Sequence, residues 1–314
     1  MDEEKLSKIF IPDISIDNND LLNSNLNLAY YTSAGTLFSI LKYKQLWLRS
    51  TMCMNDFQEI RYAYEYVKAT LCDNDSNILN KYILVLAKIM NLPEQEVRTK
   101  FSELLNNIFG GLYLHTYIMC FSEHDEANFP DGNLQMFNSY GRENGACVIF
   151  DKERLQDLQL PIFKVHYLVK EKIRDRIEKL LERLAENSQA LCTVEHNDLL
   201  NYLKLFFIHL IVTTKHMGFS QEREWRLVVN TKLLNYNVVF KNAIAEEVEC
   251  INMVPQIIKK LKITGYENVL HKIILEPRYD LVAEVLAVKK LLEETWHIND
   301  LNKIVRVSEI PIRR

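Results

Sequence analysis

Glycine and proline are scarce, with 8 and 7 in 314 residues. Few positions can therefore take left-handed turns or fixed bends, and long flexible linkers are excluded. The six cysteines, Cys53, Cys72, Cys120, Cys147, Cys192 and Cys250, form no C-x-x-C pair and mostly have apolar neighbours. Buried, reduced thiols are the expectation, as in a cytoplasmic protein. No apolar run reaches bilayer-spanning length; the longest, Leu203 to Thr214, contains Lys204 and His209. The N-terminus is acidic and lacks the apolar stretch of a signal peptide. A cytoplasmic location without membrane contact is expected. Neither sign of charge dominates: 38 Lys and Arg face 42 Asp and Glu, a net charge of -4. That argues against a globally basic nucleic-acid binder but leaves a local basic groove open. P-loop, G-x-G-x-x-G and G-x-S-x-G patterns are all missing. The eight histidines are scattered. His115, Cys120 and His124 lack zinc spacing, so no metal site is expected.

What is present suffices for a sizeable core, at 48% hydrophobic and 25% charged residues. Residues 1–25 are polar and asparagine-rich and read as an arm before one domain spanning 26–314. Strands are expected at Leu28–Thr32, Leu46–Ser50, Leu114–Phe121, Ala146–Phe150, Phe163–Tyr167, the segment entered by Glu222, Val238–Lys241, Lys272–Leu275 and Ile304–Val307. Helices are expected at Ala34–Lys44 behind a Ser33 cap, from Asn55-Asp56 onward, and near Met253–Leu261 and Asp280–Glu293. Helical insertions are read at about 73–110 and 169–216. The irregular order of elements predicts an α+β fold, not a repeating βαβ array.

The segment Gln221-Glu222-Arg223-Glu224-Trp225-Arg226 stands out. It leads into the β-branched run Val228-Val229. On a strand, Glu222, Glu224 and Arg226 share one face, and Arg223, Trp225 and Leu227 the other. Like charges held side by side near an arginine need solvent or a ligand. The plain alternative is a solvated edge of surface ion pairs. Likewise Tyr30 and Tyr31 read equally well as ordinary strand aromatics, and Tyr62, Tyr64 and Tyr66 as packing.

Several spaced segments form a set: Tyr30-Tyr31-Thr32-Ser33, Leu46-Trp47, Asn55-Asp56, Cys120-Phe121-Ser122, Phe137, Tyr140-Gly141, Gly145, Glu222 to Arg226, Ile273 to Arg278 and Ser308 to Arg313. The set resembles a bacterial family catalogued as domain of unknown function 2971, in which histidine commonly stands where this chain has Tyr30. The layout also resembles ADP-ribosyltransferases. That resemblance implies a mixed β core with helical insertions and nicotinamide adenine dinucleotide (NAD) as substrate donor. Glu224 would stabilise the cationic ribose and Glu222 would orient or deprotonate the acceptor. Tyr30, Tyr31, Thr32, Ser33, Arg49, Phe121, Ser122 and Arg226 would hold the donor, with Arg142 a further candidate for its pyrophosphate. It further implies a bacterial toxin or antiviral effector that modifies RNA, DNA or protein, with an antitoxin as partner. Two other classes stay open: a nuclease or NAD glycohydrolase using the same carboxylates, and a non-enzymatic module that binds a nucleotide or protein.

Overall fold

The Ser33 side chain accepts the Thr36 N–H, and this cap turns a strand directly into a helix. Such strand–helix junctions recur along the chain. The computed structural model describes residues 1–53, 57–72, 77–141, 144–158, 160–230, 244–251, 254–265, 267–278, 281–298 and 300–311. The expected strand Val238–Lys241, Asn55-Asp56 and Arg142 lie outside the described residues.

The strands are β1 (Leu26–Ser33), β2 (Gln45–Ser50), β3 (Thr116–Asp125), β4 (Gly145–Phe150), β5 (Ile162–Lys164), β6 (His166–Tyr167), β7 (Thr214–Lys215), β8 (Glu224–Asn230), β9 (Ile244–Ile251), β10 (Val254–Lys262), β11 (Leu270–Leu275) and β12 (Val305–Val307). The helices are α1 (Glu3–Phe10), α2 (Pro12–Asn23), α3 (Ala34–Tyr43), α4 (Phe57–Cys72), α5 (Ile78–Met90), α6 (Glu94–His115), α7 (Leu134–Met136), α8 (Lys152–Asp157), α9 (Lys170–Glu186), α10 (Ser188–Leu191), α11 (His196–Val212), α12 (Val282–Trp296) and α13 (Leu301–Ile304). The fold is mixed α+β, as expected. No described helix is long and apolar enough to cross a membrane.

The main sheet runs β12-β11-β4-β1-β3-β2-β10-β9, with β8 on β3 and β5 on β8. The β11–β12 pair is parallel and the other pairs of this sheet are antiparallel, so the sheet is mixed. Both faces of its centre are covered. Tyr117, Met119 and Phe121 of β3 and Trp225, Leu227 and Val229 of β8 join one core with Leu37 and Leu41 of α3 and Leu292 and Trp296 of α12. Ile118 and Val228, one residue out of phase, join the other core with α1, α4, α5, α6, α9 and α11. Strict alternation along two paired strands thus serves two cores at once.

One edge of β3 is shared. Strand β8 holds the first edge, with Thr116 to Ser122 opposite Asn230 to Glu224. On the second edge, Leu26 to Ala29 of β1 pair with Asp125 to Ser122, while Arg49 and Ser50 of β2 pair with Ile118 and Tyr117. Both strands run antiparallel to β3, so continuing either would put it in the other's place. They part instead. From Tyr30 onward β1 keeps only β4 as partner, and β2 turns to β10. The sheet therefore splits beside Met119, Cys120 and Phe121.

Three expectations need correction. Residues 1–25 carry two helices, and Leu6, Ile9 and Phe10 are buried in the helical core, so the segment is not a free arm. The spacing Ile257, Ile258, Leu261 suits a helix, yet the segment is strand β10, paired on both sides by β9 and β2; tertiary pairing overrides a short ambiguous pattern. Helix α6 runs through His115, so β3 starts at Thr116.

Candidate functional site

Strand β8 begins at Glu224, not Glu222. Glu222 ends a 3-10 turn, Met217–Glu222, and Arg223 takes a left-handed conformation with φ 46°. The shared strand face expected for Glu222, Glu224 and Arg226 is thus correct only for the last two. The three still meet, through a residue that the sequence did not single out. Lys215 Nζ lies 2.6 Å from Glu222 Oε2 and 3.0 Å from Glu224 Oε2. Arg226 Nε donates to Glu224 Oε1 at 2.6 Å and its second amino group to Oε2 at 3.3 Å, while the first reaches the Val212 carbonyl at 2.7 Å.

Local structure explains why Lys215 arrives there. Helix α11 ends at Val212, and Thr213 Oγ1 donates back to the His209 carbonyl at 2.7 Å. Strand β7 then pairs with β6, which sets Lys215 beside Tyr167. The Tyr167 hydroxyl accepts the Glu224 N–H at 2.9 Å. Lys215 also stands 4.8 Å from the centroid of the Phe219 ring. The 3-10 turn, capped by the His216 side chain on the Gly218 N–H, brings the chain back to Glu222.

Among the described residues, two cations and two carboxylates so form a chain, and burial grades along it. The side chains of Lys215, Arg226 and Glu224 are 0%, 1% and 3% exposed, against 16% for Glu222. Desolvation alone would raise the Glu224 carboxyl. Arg226 and Lys215 outweigh it, helped by the Cys120 thiol, and hold Glu224 down at about 2. Glu224 is therefore a carboxylate whose two oxygens are both engaged. Glu222 lies nearer solvent, and the Tyr140 hydroxyl donates to its Oε1 at 3.3 Å. Burial pushes the Tyr167 phenol up, so it remains a neutral hydroxyl.

Cys120 connects this chain to the split in the sheet. It hydrogen-bonds Glu224 and lies close enough to Tyr30 to affect its phenol. Desolvation raises that phenol, and the Thr32 hydroxyl and Arg49 guanidinium oppose the rise. Arg49 is half-buried and donates to Gln256 Oε1 at 2.7 and 2.9 Å. Ser122 is buried directly opposite Glu224. Tyr30, Thr32, Arg49, Ser122, Glu222, Glu224 and Arg226 therefore border one region.

The other expected residues do not. Tyr31 is buried against Phe137, at 5.1 Å edge to face, and its hydroxyl accepts the Asn133 N–H, so it has no face for a nicotinamide. Ser33 is spent on its helix cap. Phe121 is core, between Tyr30 and Phe150. Arg226 does border the region, but it is enclosed and held by Glu224 and the Val212 carbonyl, so it cannot reach a pyrophosphate. Lys215 and Tyr167 were missed as site residues because each comes from a distant element and neither belongs to the spaced set; Cys120 and Tyr140 belong to it, but nothing in the sequence assigns them a site role. Among the described residues no group of three or more His, Cys, Asp or Glu side chains is placed to hold a metal ion.

A second cluster explains other members of the spaced set. Glu276 Oε2 accepts the Gly145 N–H at 2.6 Å. A Cβ on Gly145 would stand 2.6 Å from Gly141 Cα, whereas one on Gly141 would meet nothing closer than 3.6 Å, so it is Gly145 that the close backbone approach requires. Phe137 to Gly141 form a π-helical turn over this contact.

The model of the family described as Protein of unknown function (DUF2971) matches residues 136–227. The match takes in Phe137, Tyr140, Gly141, Gly145 and Glu222 to Arg226, and it bears out the family resemblance that these residues carry. No curated protein and no solved structure matches the chain, and the ADP-ribosyltransferase layout finds no support there.

Proposed function

We propose that the region around Glu222 transfers ADP-ribose from NAD to an acceptor, on an ADP-ribosyltransferase-like arrangement of the sheet. One observation carries the reading. Where β1 and β2 part along β3, a buried network that joins Arg226, Glu224 and Lys215 includes a more exposed carboxylate, Glu222. Buried charge of this density is expensive to maintain, and clusters of it are enriched at functional sites.

The chemistry assigns separate roles. The bond between nicotinamide nitrogen and ribose C1′ breaks with its electron pair leaving on nicotinamide. The ribose becomes oxocarbenium-like, much as in glycoside cleavage. Glu222, aimed at the ribose, stabilises that charge or takes the proton of the attacking acceptor group as its bond to C1′ forms. Glu224, with both oxygens held, is a positioning residue that fixes Lys215 and through it Glu222. Arg49 and Tyr30 offer the donor a cation and an aromatic ring beside the split. The acceptor is RNA, DNA or protein, and a toxin or antiviral role with an antitoxin partner belongs to the same reading.

The saturation of Glu224 favours a second reading, a module that binds a nucleotide or protein without turnover. Incubation with NAD labelled in the adenylate, together with total RNA, single-stranded DNA or cell lysate, separates the two. Label in one acceptor pool, lost in Glu222→Gln, supports transfer. Nicotinamide release without labelling identifies a glycohydrolase. No release from a folded protein removes the transfer reading and leaves the binding module. Induced expression of wild type and Glu222→Gln tests toxicity, and equal growth of both discards it.

A further inference from the structure

We infer that a pocket among α1, the start of α2, α9 and α11 binds a small phosphate monoester, independently of the reading given for Glu222. The pocket, of about 200 Å³, is lined by Phe10, Ile11, Asp13, Arg176, Lys179, Arg183, Phe206, His209 and Leu210. Arg176, Lys179 and Arg183 recur at spacings of three and four, which puts them on one face of α9. That face lies over a largely apolar floor of Phe10, Phe206 and Leu210.

Charge and size narrow the occupant. Three cations stand against one carboxylate, Asp13, which lies 3.2 Å from Arg176. The balance suits a dianion such as a phosphate monoester. Arginines bind its oxygens by charge-assisted hydrogen bonds. The volume is below the ~300–1,000 Å³ of sites for drug-sized ligands, so the organic group is small, and the apolar floor calls for a ring or short hydrocarbon.

The second observation is His209. It is 5% exposed, yet its Nε2 has no hydrogen-bond partner among the described residues. Its ring is fixed edge-on to Phe163 at 5.1 Å. A buried polar atom left unpaired is rare in a native fold. A neutral imidazole protonated at Nε2 supplies the N–H that a phosphate oxygen accepts. The basic stripe alone would be an ordinary solvated helix face; the buried imidazole beneath it distinguishes a binding site.

The test is calorimetric titration of the whole protein with phenyl phosphate, inorganic phosphate and phenol, with ¹⁵N-histidine spectra of the His209 ring. Phenyl phosphate should bind, inorganic phosphate at least tenfold more weakly, and phenol not at all. The Nε2 signal should move on binding. Lys179→Gln, at an exposed position, should weaken phenyl phosphate about tenfold without altering the fold, and Arg176→Gln by more. Absence of binding overturns the proposal. So does equal affinity for inorganic phosphate, undiminished binding in both variants, or an Nε2 signal that stays still.

Discussion

Glu222 and Glu224 share one cation: Lys215 Nζ is 2.6 Å from the first carboxylate and 3.0 Å from the second, with no side-chain exposure of its own. The two acids are thereby unequal partners, one enclosed and one at the edge.

That inequality is measurable as stability. Lys215→Met removes the buried cation that Glu224 and Glu222 share, and should destabilise by about 3–5 kcal/mol, as breaking buried pairs does. Glu224→Gln removes the more buried of the two carboxylates on Lys215 and the charged acceptor of Arg226, and belongs in the same range. Glu222→Gln, nearer water, should lose about 1 kcal/mol or less. Urea unfolding of the three variants checks the order. Equal losses for the two glutamates would mean that burial does not grade along the chain.

Acid sensitivity has a definite sign. Burial pushes the His209 imidazole down to about 3, and His166 and Arg176 add to the shift. Unfolded, it binds a proton near its ordinary value of 6.5. Between those values the unfolded chain carries the extra proton, so stability falls as pH drops through the window. Glu224 acts lower: its stabilisation is fully present above 4.5 and is lost as pH falls towards about 2. Urea midpoints from pH 7 to pH 5 should decline in wild type and decline less in His209→Phe. Parallel slopes would show that His209 does not set this dependence.

The close approach of Gly141 and Gly145 predicts opposite outcomes for two glycine replacements. Gly145→Ala drives a Cβ to 2.6 Å from Gly141 Cα and 2.9 Å from Glu276 Oε2, and should cost about 1–3 kcal/mol or more. Gly35→Ala meets nothing within 4 Å inside α3 and should stabilise by about 0.4–1 kcal/mol. Thermal melts of both decide. A neutral Gly145→Ala would mean that the π-helical turn yields easily.

Tyr30 is half-buried at the split in the sheet, where members of the resembling family commonly have histidine. Tyr30→His should keep stability within about 1 kcal/mol and raise NAD turnover several-fold. A steady-state assay of nicotinamide release reads it. Unchanged turnover would detach this position from the donor.

Much of the architecture was legible from local signals. The Ser33 cap, the apolar run Ala146–Phe150 and the amphipathic α9 each announce their element through adjacent residues, and the structure has all three. Segment 254–262 was misread because Ile257, Ile258 and Leu261 fit two periods, and only its neighbours β2 and β9 settle which. The site was half legible. Glu222, Glu224 and Arg226 sit together in sequence, whereas Lys215 and Tyr167 reach them through the parallel pair β6–β7, a long-range pairing with no local trace. The positive φ of Arg223 was equally hidden, since arginine carries no preference for it.

That left-handed residue makes the count of residues between Lys215 and Glu224 matter as much as their identity. If one residue were deleted from His216–Arg223, either β8 would slip by one, turning Trp225 to where Glu224 stood, or β8 would hold and Lys215 would be drawn from its carboxylates. Both outcomes dismantle the charge chain. Related genes that keep this chemistry should therefore vary in letters across this stretch but not in length, so that frame-preserving insertions or deletions here mark lineages in which the site has been abandoned.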